Sequence, residues 1–281
     1  MKVNEMAAGK QKQKRVGPLA SFGRFFFEWK NGRIVILSLY SKNYLHKYED
    51  TALGKVWVIV TPIVPVVLYN FLQLAGLFGD PQGGIPRSVF LTYGLTLYYS
   101  FSEALVTTTG IITNNRSVII SSGTSKILLS LSEILGTLTN FVVRSILFWI
   151  IVQSMGVEIG IRGVSILFWS AMMMSLGWVV GLMLSLFAVI YKDITNLVQI
   201  ISFYLLFASG VFRQIEAEGK VWDLLRASPL YQIIGRTRDY VFGGVDAIAP
   251  FTATSCIVIF LLFVFSITIF YRGERYVDKI L

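Results

Sequence analysis

Long apolar blocks separated by short polar stretches dominate the chain. A membrane-spanning helix needs about 20 mostly apolar residues to cross roughly 30 Å of hydrocarbon. Six stretches meet that need: about 56–78, 88–113, 127–153, 164–191, 194–212 and 248–271. The first holds no charge, the second holds Glu103, and the third holds Glu133 and Arg144. The pattern predicts an all-α integral membrane protein with six transmembrane helices in a domain covering 56–271.

Two further segments are patterned without spanning. In the N-terminal portion 1–55, Phe22, Phe25, Phe26 and Trp29 recur at i, i+3, i+4 and i+7. Four rings on one face predict an amphipathic interfacial helix over about 21–40, lying in the headgroup plane. A soluble helix with an aromatic core stripe is the alternative. The apolar run 34–40 is too short to cross. Between spans five and six, 213–247 carries Val221, Trp222, Leu224 and Leu225 before Pro229, then Leu230, Tyr231, Ile233 and Ile234 after it. Two short amphipathic helices broken at Pro229 are expected there, re-entering one leaflet with their polar faces covered.

Composition agrees: 54% of the 281 residues are hydrophobic and only 15% charged, against about 25% charged in soluble domains. A formal net charge of +9 could suggest nucleic acid, but its distribution says otherwise. Eleven Lys and Arg precede the first span, and the loops and tail on that side raise the count to 17. Seven stand on the other side: Arg87, Arg162, Arg213, Lys220, Arg226, Arg236 and Arg238. After the acids are counted, one side nets +10 and the other zero, with −1 inside the spans. By the positive-inside rule both termini, including the tail 272–281, are cytoplasmic. The charge reports orientation in a cytoplasmic (inner) membrane, and no nucleic-acid partner is expected. Residues 1–20 are basic and polar with no apolar core after them, so no cleaved leader is expected.

Catalytic and metal chemistry find no support. The pairs Gly9-Lys10, Gly54-Lys55 and Gly219-Lys220 lack the upstream glycine and following Ser or Thr of a phosphate-binding loop. One histidine, His46, and one cysteine, Cys256, supply neither a zinc set nor a disulfide framework. The informative groups are polar residues inside spans. Glu133, Thr137, Asn140 and Arg144 fall on one helical stripe of span three. Intramembrane charges are costly, so that stripe faces a bundle, a dimer seam or a pathway. Glu133 and Arg144 lie about 16 Å apart along the axis and cannot pair with each other. Glu103 sits nearer their depth, and Asn70 and Gln73 mark span one. Structural hydrogen bonds and substrate contact are both open for these groups. The same holds for the aromatics Tyr69, Tyr93, Tyr98, Tyr99, Trp149, Phe203, Tyr204 and Phe207, whose faces suit sugar rings as well as membrane belts. Gly177 and Gly181 form a small-xxx-small pattern for close helix approach, within a subunit or between subunits.

Three local motifs carry a resemblance. The first is Lys42-Asn43, then Lys47-Tyr48, Thr51, Leu53-Gly54, Trp57 and Pro62; the second is Tyr191-Lys192-Asp193-Ile194 followed by Ser209-Gly210-Val211; the third is Ser228-Pro229-Leu230, Ile233-Ile234 and Arg238-Asp239. In order and spacing they resemble the ABC-2 type permeases that export O-antigen, capsule or teichoic acid. Lys42 and Lys47 stand where that family has arginine, Gly210 where it has proline and Ser228 where it has asparagine.

The resemblance implies a homodimer enclosing the pathway, driven by two copies of a separate ATPase subunit that binds ATP and Mg, with no cofactor on this chain. It implies a polyprenyl-pyrophosphate-linked glycan as substrate within the membrane lipid. On this reading Tyr69, Asn70, Gln73, Tyr98, Glu103, Glu133, Asn140 and Arg144 are path residues. Lys42, Lys47, Lys55 and Arg116 would meet the pyrophosphate; Phe26, Trp29, Asn115, Arg116 and Gly123 would couple to the ATPase. Trp222, Pro229, Arg238 and Asp239 would belong to an outer gate. A drug- or lipid-exporting ABC-2 permease, or a membrane enzyme of lipid-linked sugar synthesis, are the alternatives. Purified alone, the chain is expected to hydrolyse no ATP, as a phosphate-release assay would show; robust hydrolysis by the lone chain would overturn the transporter-subunit reading.

Overall fold

The computed structural model describes residues 17–48, 51–77, 85–212, 219–243 and 249–280. Among these residues there is no strand. The basic segment 1–16, the acidic pair Glu49-Asp50, most of the loop near 78–84, and 213–218 and 244–248 of the segment between the last two long helices lie outside them.

Six long helices match the six apolar blocks: α3 (Val56–Leu74), α4 (Arg87–Thr109), α7 (Lys126–Ser154), α8 (Ser165–Ile190), α9 (Asp193–Ala208) and α12 (Ala249–Ile280). The N-terminal portion forms α1 (Pro18–Asn31) and α2 (Arg33–Tyr40), then a π-helical turn over Ser41–Leu45. Short helices α5 (Ile111–Asn114) and α6 (Arg116–Ser122) connect α4 to α7; α10 (Lys220–Ala227) and α11 (Pro229–Phe242) precede α12.

Boundaries depart from the apolar pattern where backbone chemistry intervenes. The second block is expected to run to 113; α4 ends at Thr109, and after Gly110 (φ −82°, ψ 0°) the chain continues as the short helix α5, with the Gly110 carbonyl accepting from Asn114 N and Thr113 Oγ1. The fifth is expected to reach 212, but α9 stops at Ala208 before Gly210 at φ +77°. The sixth block was expected to end at 271, with a separate tail. Nothing breaks the helix there, and α12 continues to Ile280.

Four segments are long and apolar enough to cross a bilayer by length and composition alone: Val56–Leu74, Lys126–Ser154, Gly160–Ile190 and Phe251–Glu274. The two that miss differ in kind. With 16 residues, α9 is about 24 Å long, short of the hydrocarbon thickness. The 23 residues of α4 are long enough but hydroxyl-rich. Thr92, Thr96, Ser100, Thr108 and Thr109 are all fully buried. Three of them return their hydroxyls to the preceding turn: Thr96 to Thr92 O and Ser100 to Thr96 O, both at 2.8 Å, and Thr109 to Leu105 O at 2.7 Å. Helix α4 faces protein on nearly every side, packing on α3, α7, α8, α9 and α11. It needs no lipid-facing apolar surface.

Its closest neighbour is α8. A Cβ at Gly177 would lie 2.2 Å from the Phe101 carbonyl oxygen, and one at Gly181 2.8 Å from Thr108 Cβ. The small-xxx-small pattern therefore serves packing within one subunit. Helix α12 closes the other side of α8, where Ser266 Oγ donates to Val179 O at 2.8 Å.

The aromatic stripe of α1 divides in two. Phe22 and Phe25 meet Phe263 of α12 edge-on at 6.0 and 5.5 Å, whereas Phe26 and Trp29 stay 45% and 41% exposed. Polar contacts fix the same arrangement. Arg24 donates to Glu28 at 2.6 Å and reaches Glu274 at 3.1 Å; Lys126 stands 3.6 Å from Glu274, and Ser125 Oγ donates to Glu28 at 2.5 Å. Burial works against the Arg24 charge, but Glu274 and Glu28 outweigh it and raise its pKa. These contacts bring α1 beside the last turns of α12, so both ends of the described chain share one end of the bundle.

At Gly177, a β-carbon can be accommodated only by moving two backbones apart. Gly177→Ala is expected to cost about 1–3 kcal/mol through overpacking, read as a lowered melting temperature in detergent. An unchanged melting temperature would argue against the close α4–α8 contact.

Candidate functional site

Span three builds the site because its stripe faces two neighbours at once. From Glu133 through Thr137 and Asn140 to Arg144, successive turns of α7 look toward the segment after α2 and toward α4. Arg144 is fully buried. Its Nη1 donates to Glu103 Oε1 at 2.6 Å and its Nη2 to Oε2 at 2.9 Å, a two-pronged pair; Asn140 Nδ2 adds a third bond to Oε2 at 3.1 Å. Charge-assisted forked bonds of this kind are among the strongest polar contacts. The guanidinium also lies 5.5 Å above the Tyr99 ring.

The other side of Asn140 accepts a hydrogen bond from the Tyr44 hydroxyl. Tyr44 stacks on Tyr40 at 5.6 Å with 14° between planes, and Tyr40 shares a 2.7 Å hydroxyl contact with Thr139. Gly136 makes room for the Tyr44 ring, since a Cβ there would fall 2.8 Å from it. One turn earlier, Asn43 hydrogen-bonds Glu133 and donates to Asn115 Oδ1 at 3.3 Å. Lys47 lends its charge to the Glu133 carboxylate. The turn over 41–45 thus links the stripe on α7 to the α5–α6 connection.

Beyond Tyr99 the polar seam becomes aromatic. Tyr69 of α3 hydrogen-bonds Tyr99 and packs 5.0 Å from Phe212. Tyr98 donates its hydroxyl to the Ser202 carbonyl of α9. Between α4 and α9, Tyr98 and Tyr99 border a hollow of about 170 Å³, lined also by Ser102, Gln199, Ser202 and Phe203. Among the described residues the buried Ser202 hydroxyl has no hydrogen-bond partner.

The expected path residues therefore divide. Tyr69, Tyr98, Glu103, Asn140 and Arg144 join one connected seam, with Glu133 at its far end. Asn70 instead donates to Val66 O at 2.8 Å and Thr92 Oγ1 at 3.2 Å within the α3–α4 contact, and Gln73 Oε1 is buried without a partner among the described residues. Lys42, Lys47, Lys55 and Arg116 are exposed. Asn115 is nearly buried and donates to Ile111 O at 3.0 Å, while Gly123 closes α6 at φ +62°, a conformation that favours glycine.

At the opposite end, Ser228 caps α11 by accepting from Tyr231 N at 3.3 Å, with Pro229 at the first helical position. Trp222 on α10 is 42% exposed. Arg238 and Asp239 part company: Asp239 is exposed, whereas Arg238 is buried. The Arg238 guanidinium donates to Gly210 O at 3.1 Å and to Phe90 O and Val211 O at 3.3 Å, and lies 3.5 Å over the Phe90 ring. The turn it braces needs Gly210 at φ +77°, a value proline cannot adopt, and a Cβ there would meet the Tyr231 ring at 2.7 Å.

Sequence reasoning missed Tyr40 and Tyr44, although two tyrosines four apart at the end of an amphipathic run are visible in it. It also missed the cluster of Arg24 and Glu28, four apart on α1, with Lys126 and Glu274, which lie too far away in sequence to be associated with them. The whole arrangement offers hydrogen bonds, a neutralised ion pair and aromatic faces. It is equipped to bind and to hold helices in register.

A helical, multi-pass membrane bundle of this kind is the class of protein that the fold and the seam define. The family model of the ABC-2 type transporter matches residues 35–242, from α2 to the end of α11. The chain belongs to the ABC-2 type transporter family: it is a transmembrane component of an ABC transporter and not an enzyme, and it partners with an ATPase carried on a separate chain. Comparison with curated proteins gave no match.

Removing one member of a buried ion pair leaves the other charge uncompensated, at a cost of about 3–5 kcal/mol. Arg144→Met is expected to lose that much stability in thermal melts, and Glu103→Leu/Arg144→Met together to regain most of it. Additive losses in that double-mutant cycle would show that the two residues act independently.

Proposed function

We propose that this chain is the permease of an ABC transporter exporting a lipid-linked polysaccharide, O-antigen-like, across the cytoplasmic membrane. The observation that carries the reading is the ordered set of motifs, from Tyr48, Leu53-Gly54, Trp57 and Pro62 to Ser228-Pro229-Leu230 and Arg238-Asp239. They resemble polysaccharide exporters within the wider ABC-2 family. Two copies form the pathway, with two ATPase subunits beneath. The apolar faces of α3 and α9, which carry exposed Val67, Phe71, Phe203 and Phe207, suit a subunit seam or lipid.

Both termini are cytoplasmic in this reading, because the inner side holds 17 of the Lys and Arg. Exposed Lys42, Lys47, Lys55 and Arg116 are available to a pyrophosphate at the inner interface. Exposed Phe26 and Trp29, with Arg116 and Gly123 around α6, form the surface facing the ATPase. Nearly buried Asn115 would pass motion from that surface to Asn43 and so to the stripe on α7. Tyr69, Tyr98 and Tyr99 offer ring faces to sugar, with the Glu103, Asn140 and Arg144 node holding α4 and α7 behind them. Helices α10 and α11 re-enter the outer leaflet as a gate that Arg238 braces.

Cells lacking the gene are expected to accumulate lipid-linked glycan on the inner face of the membrane, measured by extracting the lipid fraction and releasing its sugar. Normal glycan export with retention of a drug or a simple lipid would overturn the polysaccharide assignment while leaving the ABC-2 family membership intact.

A further inference from the structure

Between α1 and the second half of α12 runs a groove of about 570 Å³, within the range of about 300–1,000 Å³ typical of ligand pockets. Pro18 and Phe22 form one wall; Phe260, Val264, Phe265 and Ile269 form the other, and Arg272 stands at the end. Except for Arg272 and Thr268, these linings are apolar. The Thr268 hydroxyl is turned back onto Val264 O at 2.7 Å, so it asks nothing of an occupant.

The dimensions fit one leaflet. From Phe260 to Arg272 the helix rises about 18 Å, close to half of the roughly 30 Å hydrocarbon thickness. Arg272 is exposed and follows the last apolar turn of α12, which sets its cation at headgroup depth while the rings line acyl-chain depth. Basic residues at the membrane surface attract anionic lipid, and basic pockets beside transmembrane helices hold its headgroup. A groove that is apolar for one leaflet and cationic at its mouth matches an amphiphile with a long acyl chain and an anionic head.

The geometry points to a binding site for one anionic phospholipid, its acyl chain between Phe22 and the α12 stripe and its phosphate at Arg272. This site joins α1 to α12 beside the Arg24–Glu274 contact. It rests on the chain being a membrane protein and on nothing about the cargo, so failure here leaves the export reading untouched.

The test uses the full chain in membranes of equal phosphatidylglycerol and phosphatidylcholine with identical acyl chains. Phe265 is replaced by p-benzoylphenylalanine, the sample is irradiated, and adducts are weighed by mass spectrometry. Phosphatidylglycerol adducts are expected to exceed phosphatidylcholine adducts about fivefold, as one cation at an anionic headgroup gives. Adding Arg272→Gln should bring the ratio close to one, and the same photoreactive side chain at Phe203 on α9 should show little preference. Equal adducts at position 265, a preference that survives Arg272→Gln, or the same preference at 203 would overturn the site. Adducts to a second copy of the chain or to residues 1–16 in place of lipid would also overturn it.

Discussion

A carbonyl oxygen of α4 occupies the space where a side chain at residue 177 would begin, so α4 and α8 pack almost backbone to backbone. Lipid chains are as apolar as leucine, and a bundle in a membrane gains little by hiding apolar surface from them. Van der Waals contact and internal hydrogen bonds must supply the association. The Gly177 and Gly181 face provides the first, and the hydroxyls of Thr96, Ser100 and Thr109, returned to the preceding turn of α4, offset the cost of burying them. With α4 thus fixed at the centre, α3, α7, α9 and α11 have a surface to pack on, and the apolar sides of α3, α9 and α12 are left facing outward.

The second dependency is electrostatic. One buried arginine, Arg144, is matched by one carboxylate, Glu103, and Asn140 shares that carboxylate while accepting from Tyr44. The contact therefore ties α7 to α4 and, through the turn after α2, to the N-terminal helices. Arg238 does comparable work at the other end, where three backbone carbonyls and the Phe90 ring surround its guanidinium. These two arginines mark where rigid contacts join helices that are distant in sequence.

The apolar blocks were legible because a run of about 20 apolar residues needs no neighbour to declare itself; four of the six helices they mark are long and apolar enough to cross a bilayer, while α4 and α9 are not. The helix break at Pro229, with Ser228 ahead of it, was equally legible, since capping and proline geometry are local. The stripe of Glu133, Thr137, Asn140 and Arg144 was visible as a stripe, but its partners were not. Glu103 lies 41 residues from Arg144, and no periodicity connects them. Tyr44 reaches Asn140 only because a π-helical turn and a glycine at position 136 admit its ring.

Apolar blocks and capping residues follow from each residue's own transfer energy and backbone preference, so the sequence determined the helices. Which glycines meet which backbone, which carboxylate neutralises Arg144, and how much of the α1 stripe protein covers are properties of pairs brought together by packing. The tertiary structure alone decided those. It also explained why a helix as hydroxyl-rich as α4 can stand at the core of a membrane bundle: its neighbours, and not its own composition, keep it out of lipid.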